Sequence, residues 1–349
     1  MKEIPAISVI IPMYNAEKYI SECLNSLLEQ TFKNFEVIVV DDCSTDNSVE
    51  IVKNYAEKFD GRLIFVKMIA NSGGGSAPRN KGAKLSRGEY LFFMDSDDFF
   101  TKTALEDMYI PAKEFNADAV YLEKYYSYKK NGENVKLNGN SSANKPVLEV
   151  NKQLEHLILY ASDTYFWAPW TKFVRRTWAM ENQIFFQELP RAQDFLWTLK
   201  IFTYAERFLR IPTAVYFYRD SPESITRNKR SDDKMMNFWI SPVIKGLKEI
   251  SDFMNSVEIL KKRPKLRYAI LDFFVRVHFA RDFLKLSWQF PPYAVYEIFN
   301  QEFGKNLGEN DVLVSFFCAY SNNLLKFAAR SQQRIVELEK EIHKLKTKE

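Results

Sequence analysis

Short apolar runs alternate with amphipathic segments over roughly the first third of the chain. Each run is mostly apolar, which is typical of strands buried on both faces. The runs are Ile7–Ile11, Phe35–Val40, Leu63–Met68, Tyr90–Met94 and Ala119–Leu122. Between them, apolar residues recur three or four positions apart, the period of a helix that buries one face. The predicted helices comprise residues 20–28, 49–59, 76–85 and 103–115.

This alternation predicts an α/β fold with a mostly parallel, Rossmann-like central sheet that helices cover on both faces. Such sheets bind ligands just beyond the carboxyl ends of their strands. Two acidic clusters, Asp41–Asp42 and the one within Asp95–Asp98, directly follow apolar runs. We therefore expect both clusters to face one crevice.

The remainder of the chain has a different pattern. Residues 129–144 are rich in Asn, Gly and Ser, which predicts a loop or turn region. Residues 150–227 have a mixed α+β pattern, and the chain is then largely helical. We expect an α/β domain over residues 1–227, a helical subdomain over 228–330 and a charged helical tail over 331–349.

Apolar residues at coiled-coil spacing mark this tail. Ile335, Leu338, Ile342 and Leu345 repeat at a and d spacing. The pattern extends over only about two heptads, fewer than a secure assignment needs. Two interpretations stay open, a solvated terminal helix and a helix that pairs two copies of the chain.

Composition narrows the class of protein. A formal net charge of +4 gives no indication of wholesale nucleic-acid binding. Cys23, Cys43 and Cys318 lie far apart, which predicts reduced thiols rather than a metal or redox motif. No apolar stretch reaches the length of a membrane span, and the N-terminus lacks the pattern of a signal peptide. These features predict a cytoplasmic protein.

The most informative motif is the acidic segment after Tyr90–Met94. Asp95, Asp97 and Asp98 place three carboxylates at one strand end, where their mutual repulsion favours a bound cation. Hard carboxylate oxygens suit Mg²⁺ or Mn²⁺, ions that commonly bridge a protein to substrate phosphates. Taken alone, the same residues are equally typical of an Asx turn or a helix cap after a strand.

Four segments together resemble the inverting glycosyltransferases of family 2, which have the GT-A fold. The segments are Val9–Asn15, Ile38–Asp46, Arg79–Gly82 and Gly88–Asp98. The resemblance extends over residues 6–227. It implies a metal-dependent enzyme that moves a sugar from a nucleotide-sugar, commonly a UDP-sugar, to a hydroxyl of a glycan or lipid-linked saccharide. The expected context is bacterial surface polysaccharide or lipooligosaccharide synthesis.

The resemblance assigns the nucleotide to the first acidic cluster. Asp42 matches the family's base-contacting aspartate, with Asp41 beside it, and a carboxylate can accept a hydrogen bond from uracil N3–H. Pro12 and Tyr14 would wall the nucleoside. Arg79, after a glycine-rich loop, would donate to the ribose or the diphosphate.

The second cluster carries the family's D-x-D motif, to which the resemblance assigns the metal. Asp97 and Asp98 would hold Mn²⁺ or Mg²⁺, which neutralises the charge that develops on the leaving diphosphate. Asp95 would contact the ribose or orient the waters of the metal. The sequence does not decide which of these carboxylates ligates the ion directly.

Inversion requires a base on the opposite face of the donor sugar. The family places an aspartate for this role in a Glu-Asp pair that opens a helix, and Asp194 occupies that place. Gln193 departs from the usual glutamate. The alternative interpretation of Asp194 is a simple helix cap.

The acceptor side of the resemblance falls on an aromatic segment. Trp167, Trp170 and Lys172 stand where family members build this side, and an indole face can pack on a sugar. Both tryptophans are also typical of a core. The later segment Arg219–Thr226 resembles one that closes near the diphosphate.

A basic run, Lys261–Arg267, precedes an aromatic, helical part of the sequence. One interpretation is peripheral contact with the inner face of the cytoplasmic membrane, close to a lipid-linked acceptor. The other is a helical subdomain whose basic face lies in water.

Two other functions fit parts of the pattern. A sugar-nucleotide nucleotidylyltransferase also combines a sheet, a metal and a nucleotide, but residues 7–19 lack the glycine-rich triphosphate loop of such an enzyme. A catalytically inactive scaffold that binds glycan or nucleotide on the same fold is the alternative left open by Gln193.

Overall fold

The computed structural model describes most of the chain up to residue 280. The described residues are 4–128, 135–189, 192–220, 241–280, 297, 299–301, 303, 329–333 and 337. They divide into two compact units. The first unit holds residues up to 160 and residues 164–220, and the second holds residues 161–163 and those from 241 onward. The a and d residues of the predicted coiled coil lie outside the described residues.

Two sheets make up the framework of the first unit. In chain order the strands are β1 (Ile7–Met13), β2 (Phe35–Asp41), β3 (Leu63–Lys67), β4 (Tyr90–Phe93), β5 (Phe99–Phe100), β6 (Ala119–Leu122), β7 (Lys124–Tyr128), β8 (Lys136–Gly139), β9 (Val147–Val150), β10 (Lys172–Arg175), β11 (Arg207–Ile211) and β12 (Tyr216–Arg219). The larger sheet has the order β3-β2-β1-β4-β10-β6-β11-β9. The smaller sheet has the order β5-β12-β7-β8.

The larger sheet is mostly parallel, as predicted. Among its described strands, β9 and β10 alone run against their neighbours. Strands β2 and β4 are buried along their whole length and β1 along nearly all of it, which accounts for their apolar sequences. The parallel order brings the carboxyl ends of β1, β2 and β4 to one edge.

Helices alternate with these strands and continue into the second unit. In chain order they are α1 (Ile20–Leu28), α2 (Ser48–Tyr55), α3 (Ser76–Leu85), α4 (Ala104–Glu114), α5 (Gln153–Ala161), α6 (Arg176–Glu181), α7 (Gln193–Tyr204), α8 (Ser241–Ser256), α9 (Glu258–Lys261) and α10 (Pro264–Val275). The helix predicted over residues 49–59 is shorter in the structure, because α2 ends at Tyr55. A 3₁₀ turn, Glu57–Phe59, follows it, and Asp60 then adopts a left-handed φ of 49°.

The predicted loop at residues 129–144 contains a strand, β8, which pairs antiparallel with β7. The polar composition of β8 hid it, since its residues are mostly exposed and show no apolar alternation. Gly139 ends the strand with φ 85°, and a Cβ there would lie 2.0 Å from the carbonyl oxygen of Glu123. Only glycine therefore fits this close approach.

The second unit is helical over its described residues, as the sequence predicts. Helix α8 buries one apolar face, which includes Ile244, Leu247 and Ile250. No helix in the described part of the chain combines the length and apolar character that crossing a bilayer requires.

Candidate active site

The carboxyl ends of β1 and β2 bring the predicted nucleotide residues together. Met13 pairs with Asp41 in the sheet, and the backbone N–H of Asp42 donates to the carbonyl of Met13 at 2.8 Å. Pro12 is half-buried beside them, and Tyr14 is 46% exposed just past the strand. Four residues that the sequence predicts at the nucleoside thus share one edge of the sheet.

Asp42 holds the loop that follows β3 through hydrogen bonds. Its carboxylate accepts hydrogen bonds from the backbone N–H of Ser72 at 2.9 Å and from the Ser72 hydroxyl at 2.9 Å. Its carbonyl accepts a third from Asn71 at 2.7 Å. The sequence does not predict a role for Ser72, because a serine beside three glycines carries no signal for a partner about 30 positions away. A base bound at Asp42 would share this carboxylate with Ser72.

Asp41 has a different environment. Its Oδ1 accepts a hydrogen bond from the backbone N–H of Ser44 at 3.1 Å, while its Oδ2 is buried and has no partner among the described residues. A buried oxygen of this kind normally has a donor. A ligand or a water molecule bound at the site would supply the donor for this oxygen.

The acidic segment after β4 forms a turn. The backbone N–H of Asp98 donates to the carbonyl of Asp95 at 3.2 Å. The Asp98 carboxylate is 1% exposed and accepts hydrogen bonds from the Tyr216 hydroxyl at 2.6 Å and the backbone N–H of Arg219 at 2.7 Å. By contrast, the Asp97 carboxylate is half-buried. Burial raises the pKa of Asp97 to about 6; Asp95 adds to the rise, and the charge of Arg219 opposes it.

Arg79 links the acidic turn to the predicted base. Its Nη2 lies 2.7 Å from Oδ1 of Asp95, and its Nη1 lies 3.2 Å from Oδ1 of Asp194. The Arg79 side chain is 8% exposed, against 30% for Asp95 and 17% for Asp194. One guanidinium therefore joins carboxylates from two distant segments at the same edge of the sheet.

Helix α3 positions both Arg79 and the segment that leads to Asp194. The Asn80 side chain donates to the Phe186 carbonyl at 2.8 Å and accepts from the Phe186 N–H at 2.9 Å. The Phe186 ring stacks on Trp197 of α7 with centroids 4.6 Å apart. Asn80 has no signal of its own in the sequence, although it belongs to the segment Arg79–Gly82 that carries the resemblance.

Asp194 is not the cap of α7. The residue before the helix is Ala192, with a left-handed φ of 66°, and no side chain caps the helix. Asp194 lies in the first turn, where its carboxylate pairs with Arg79 instead. The helix-cap interpretation of this aspartate is therefore wrong.

Burial perturbs the charges around this aspartate. Burial raises the pKa of Asp194 to about 6; Arg79 opposes the rise and Asp95 adds to it. Burial also lowers the pKa of Lys172 well below its ordinary value, although the charge of Asp194 opposes this effect. A carboxyl group with a pKa near 6 is suited to accept a proton at neutral pH.

Two of the three predicted acceptor residues are buried, and the third is half-buried. Trp170 is 3% exposed and stacks on Tyr216 with centroids 4.8 Å apart. Lys172 is fully buried, and its Nζ donates to the carbonyl of Ala168 at 3.0 Å. Both side chains contact protein groups here rather than an open surface. Contact with an acceptor stays a prediction. Of the three residues, Trp167 alone is half-buried and accessible to an acceptor.

Trp167 is tied to the helix of the predicted base. Its carbonyl accepts a hydrogen bond from the Thr198 hydroxyl at 2.8 Å. Thr198 lies four positions after Asp194, and residues at that spacing share one face of a helix. The segment predicted for the acceptor is thereby anchored on the Asp194 side of α7. Residues 221–226 of the predicted closing segment lie outside the described residues.

The residues present fit a metal ion that takes some of its ligands from the bound substrate. No cluster of three or more His, Cys, Asp or Glu able to hold an ion occurs within the described residues. Mg²⁺ and Mn²⁺ are commonly held by one or two carboxylates together with substrate phosphates and water. The half-buried Asp97 carboxylate has the donor chemistry for such an ion.

Comparison with known proteins identifies the family. Residues 8–179 match the model described as glycosyl transferase family 2. The chain is 34% identical over 238 residues to the poly(ribitol-phosphate) beta-N-acetylglucosaminyltransferase TarS of Staphylococcus aureus, which is 67% of this chain and 38% of that protein. It is 33% identical over 215 residues to the poly(ribitol-phosphate) beta-glucosyltransferase of Bacillus spizizenii, 61% of this chain and 32% of that protein.

A solved structure shows the same fold. The crystal structure of S. aureus TarS 1–349 in complex with UDP-GlcNAc aligns with a TM-score of 0.68 and 26% identity, over 93% of this chain and 91% of that one. Measured against the full-length curated relatives, however, the chain spans well under two thirds of their sequences. The predicted GT-A fold is confirmed, and this chain belongs to the family 2 glycosyltransferases.

Proposed function

We propose that this protein is a metal-dependent, inverting glycosyltransferase that moves a sugar from a UDP-sugar to a hydroxyl of a glycan acceptor in bacterial surface-glycan synthesis. The observation that carries the proposal is the Arg79 bridge between Asp95 and Asp194. A nucleotide edge, an acidic turn and a carboxylate with a raised pKa are parts that a sugar transfer requires. An inactive scaffold would not need a partly desolvated base beside the donor groups.

In the proposed reaction, the acceptor oxygen attacks the anomeric carbon of the donor. Its proton passes to the carboxylate of Asp194, and the bond from the anomeric carbon to the diphosphate breaks, with the electron pair going to the leaving UDP. Arg79 contributes a buried positive charge near the diphosphate. Asp97 would hold Mn²⁺ or Mg²⁺, which when bound would supply further neutralisation of the leaving group.

The relatives support the donor class and the acceptor class. TarS is named for transfer of N-acetylglucosamine to poly(ribitol-phosphate), and its structure was solved with UDP-GlcNAc. The Bacillus spizizenii relative is named for transfer of glucose to the same polymer. UDP-GlcNAc and UDP-glucose are therefore the first donors to test, and a polyol-phosphate polymer is the first acceptor. Both names specify β products, which an α-linked sugar nucleotide yields by inversion.

We infer that the reaction takes place in the cytoplasm, where sugar nucleotides are made. Lys261, Lys262 and Lys265 are exposed in the second unit. Glu258 pairs with Lys261 at 3.1 Å and with Lys262 at 3.6 Å, which reduces their net charge. Peripheral contact with an anionic membrane stays a prediction.

The test is a donor screen with product analysis. We expect released UDP when the protein is incubated with Mn²⁺, UDP-GlcNAc or UDP-glucose and a poly(ribitol-phosphate) acceptor, and a β-anomeric proton signal in the NMR spectrum of the product. Calorimetry with UDP alone checks donor binding separately. Binding of UDP without turnover of any donor would favour the scaffold, and absence of binding would contradict the whole proposal.

A further inference from the structure

Strand β12 holds the acidic turn at both of its ends. The Tyr216 hydroxyl accepts a hydrogen bond from the backbone N–H of Asp95 at 3.2 Å, where the turn begins. The same hydroxyl donates to Oδ2 of Asp98 at 2.6 Å, where the turn ends. One buried oxygen atom thus spans the turn that carries all three carboxylates.

Arg219, at the other end of β12, contacts the middle and the end of the turn. Its side-chain Nε donates to the Asp97 carbonyl at 2.8 Å, and its backbone N–H donates to Oδ1 of Asp98 at 2.7 Å. An ion pair with Glu22 and the ring of Tyr19, 4.7 Å from the guanidinium, hold the arginine. Its side chain is therefore committed to protein contacts.

These contacts give the aspartates different roles. Both oxygens of Asp98 are already engaged, and the residue is buried. Asp97, in the same turn, is only half-buried. A metal ligand needs a carboxylate oxygen that a bound ion can reach, which the half-buried Asp97 offers and the buried Asp98 does not.

We propose that Tyr216 and Arg219 are positioning residues that hold the Asp95–Asp98 turn through the buried carboxylate of Asp98, so that Asp97 meets the metal and the donor diphosphate. Asp98 is then the anchor of the turn and not a metal ligand. The inference rests on the proposed metal-dependent transfer. Partners outside the ligand shell that orient metal ligands commonly change metal affinity by about 10- to 100-fold when they are removed.

Replacement of Tyr216 by phenylalanine isolates the hydroxyl. The variant keeps the ring that stacks on Trp170 and removes both contacts to the turn. Tyr90→Phe is the matched control, since Tyr90 is also fully buried and its hydroxyl donates to the carbonyls of Ala112 and Ala117 at 3.0 and 2.9 Å. Tyr90 begins β4, whereas the acidic turn follows the end of that strand.

The measurement is the affinity for Mn²⁺ in the presence of UDP, followed by the electron paramagnetic resonance signal of free Mn²⁺, with thermal unfolding recorded in parallel. We expect Tyr216→Phe to weaken Mn²⁺ binding by about 10-fold or more and Tyr90→Phe to leave it unchanged. If Tyr216→Phe does not fold, Arg219→Lys is the second variant, because it keeps the charge and loses the planar donor group. We expect the same loss from it.

Other outcomes overturn the inference. If Mn²⁺ affinity held or rose in Tyr216→Phe, the hydroxyl would not position the metal ligand. If Tyr216→Phe and Tyr90→Phe weakened Mn²⁺ binding equally, the Tyr216 hydroxyl would act only through the stability of the fold. A wild-type protein that binds no Mn²⁺ with UDP would instead contradict the proposed metal dependence itself.

Discussion

Arg79 and Asp194, 115 positions apart in the sequence, form an ion pair with Nη1 and Oδ1 3.2 Å apart. The same guanidinium contacts Asp95 at 2.7 Å, so the segment proposed to bind the donor and the helix proposed to carry the base share one positive charge. In the proposed complex, a bound diphosphate and the carboxylate of Asp194 would act on each other through Arg79. Four predictions test the assignment.

Asp194→Asn tests the base. The amide cannot accept the proton of the acceptor hydroxyl, and we expect turnover to fall by about 10²- to 10⁴-fold. Donor binding, measured by calorimetry with UDP, should change little, because the proposed mechanism gives Asp194 the proton of the acceptor and no contact with the nucleotide. Asp60→Asn is the control, an exposed aspartate whose left-handed backbone asparagine also tolerates. Unchanged turnover of the Asp194 variant would remove Asp194 from the mechanism.

The pH dependence of kcat/KM should report the same residue. Burial raises the pKa of Asp194 to about 6. The base works only as the carboxylate, so activity is retained above this pH and lost as the pH falls through it. Arg79 lowers this pKa, and Arg79→Met should therefore move the acidic limb to higher pH. A rate profile that stays flat from pH 5 to pH 7 (about one unit on each side of the pKa) would contradict the assignment.

Arg79→Met should also destabilise the protein. It leaves two carboxylates without their cation, but both retain some exposure to water. We expect a loss of about 1–3 kcal/mol in the free energy of unfolding, less than for a fully buried pair. Lys113→Met, which breaks an exposed pair with Glu89, is the control and should cost about 0–1 kcal/mol. Urea unfolding measures both, and equal losses would show that the Arg79 pair is no more important than a surface pair.

Metal removal tests the role of Asp97. We expect transfer by the wild-type protein to stop in EDTA and to return with Mn²⁺, because the leaving diphosphate then regains its counter-charge. Asp97→Asn should bind UDP with the same affinity in the presence and absence of Mn²⁺, whereas the wild type should bind UDP more tightly with Mn²⁺. Full activity of the wild type in EDTA would mean that the transfer needs no metal.

The local pattern of the sequence was enough for the elements that bear the site. Apolar runs predicted β1, β2 and β4 to within a few residues, and the order of motifs indicated the family that the comparisons confirm. Both properties are local, because a strand buried on two faces is apolar along its length and a motif lies within one segment. The strand β8 escaped this logic, since a polar strand at a sheet edge has no apolar period.

What the sequence by itself determined is the set of carboxylates at the strand ends and the place of Asp194 at the start of a helix. Only the tertiary structure decided their partners: Arg79 lies between Asp95 and Asp194, and Tyr216 closes on Asp98 from 118 positions away. The tertiary structure also decided that Trp170 lies in the core, which the sequence had left open. Such pairings depend on how strands and helices pack in three dimensions, and no periodicity within a single segment encodes them.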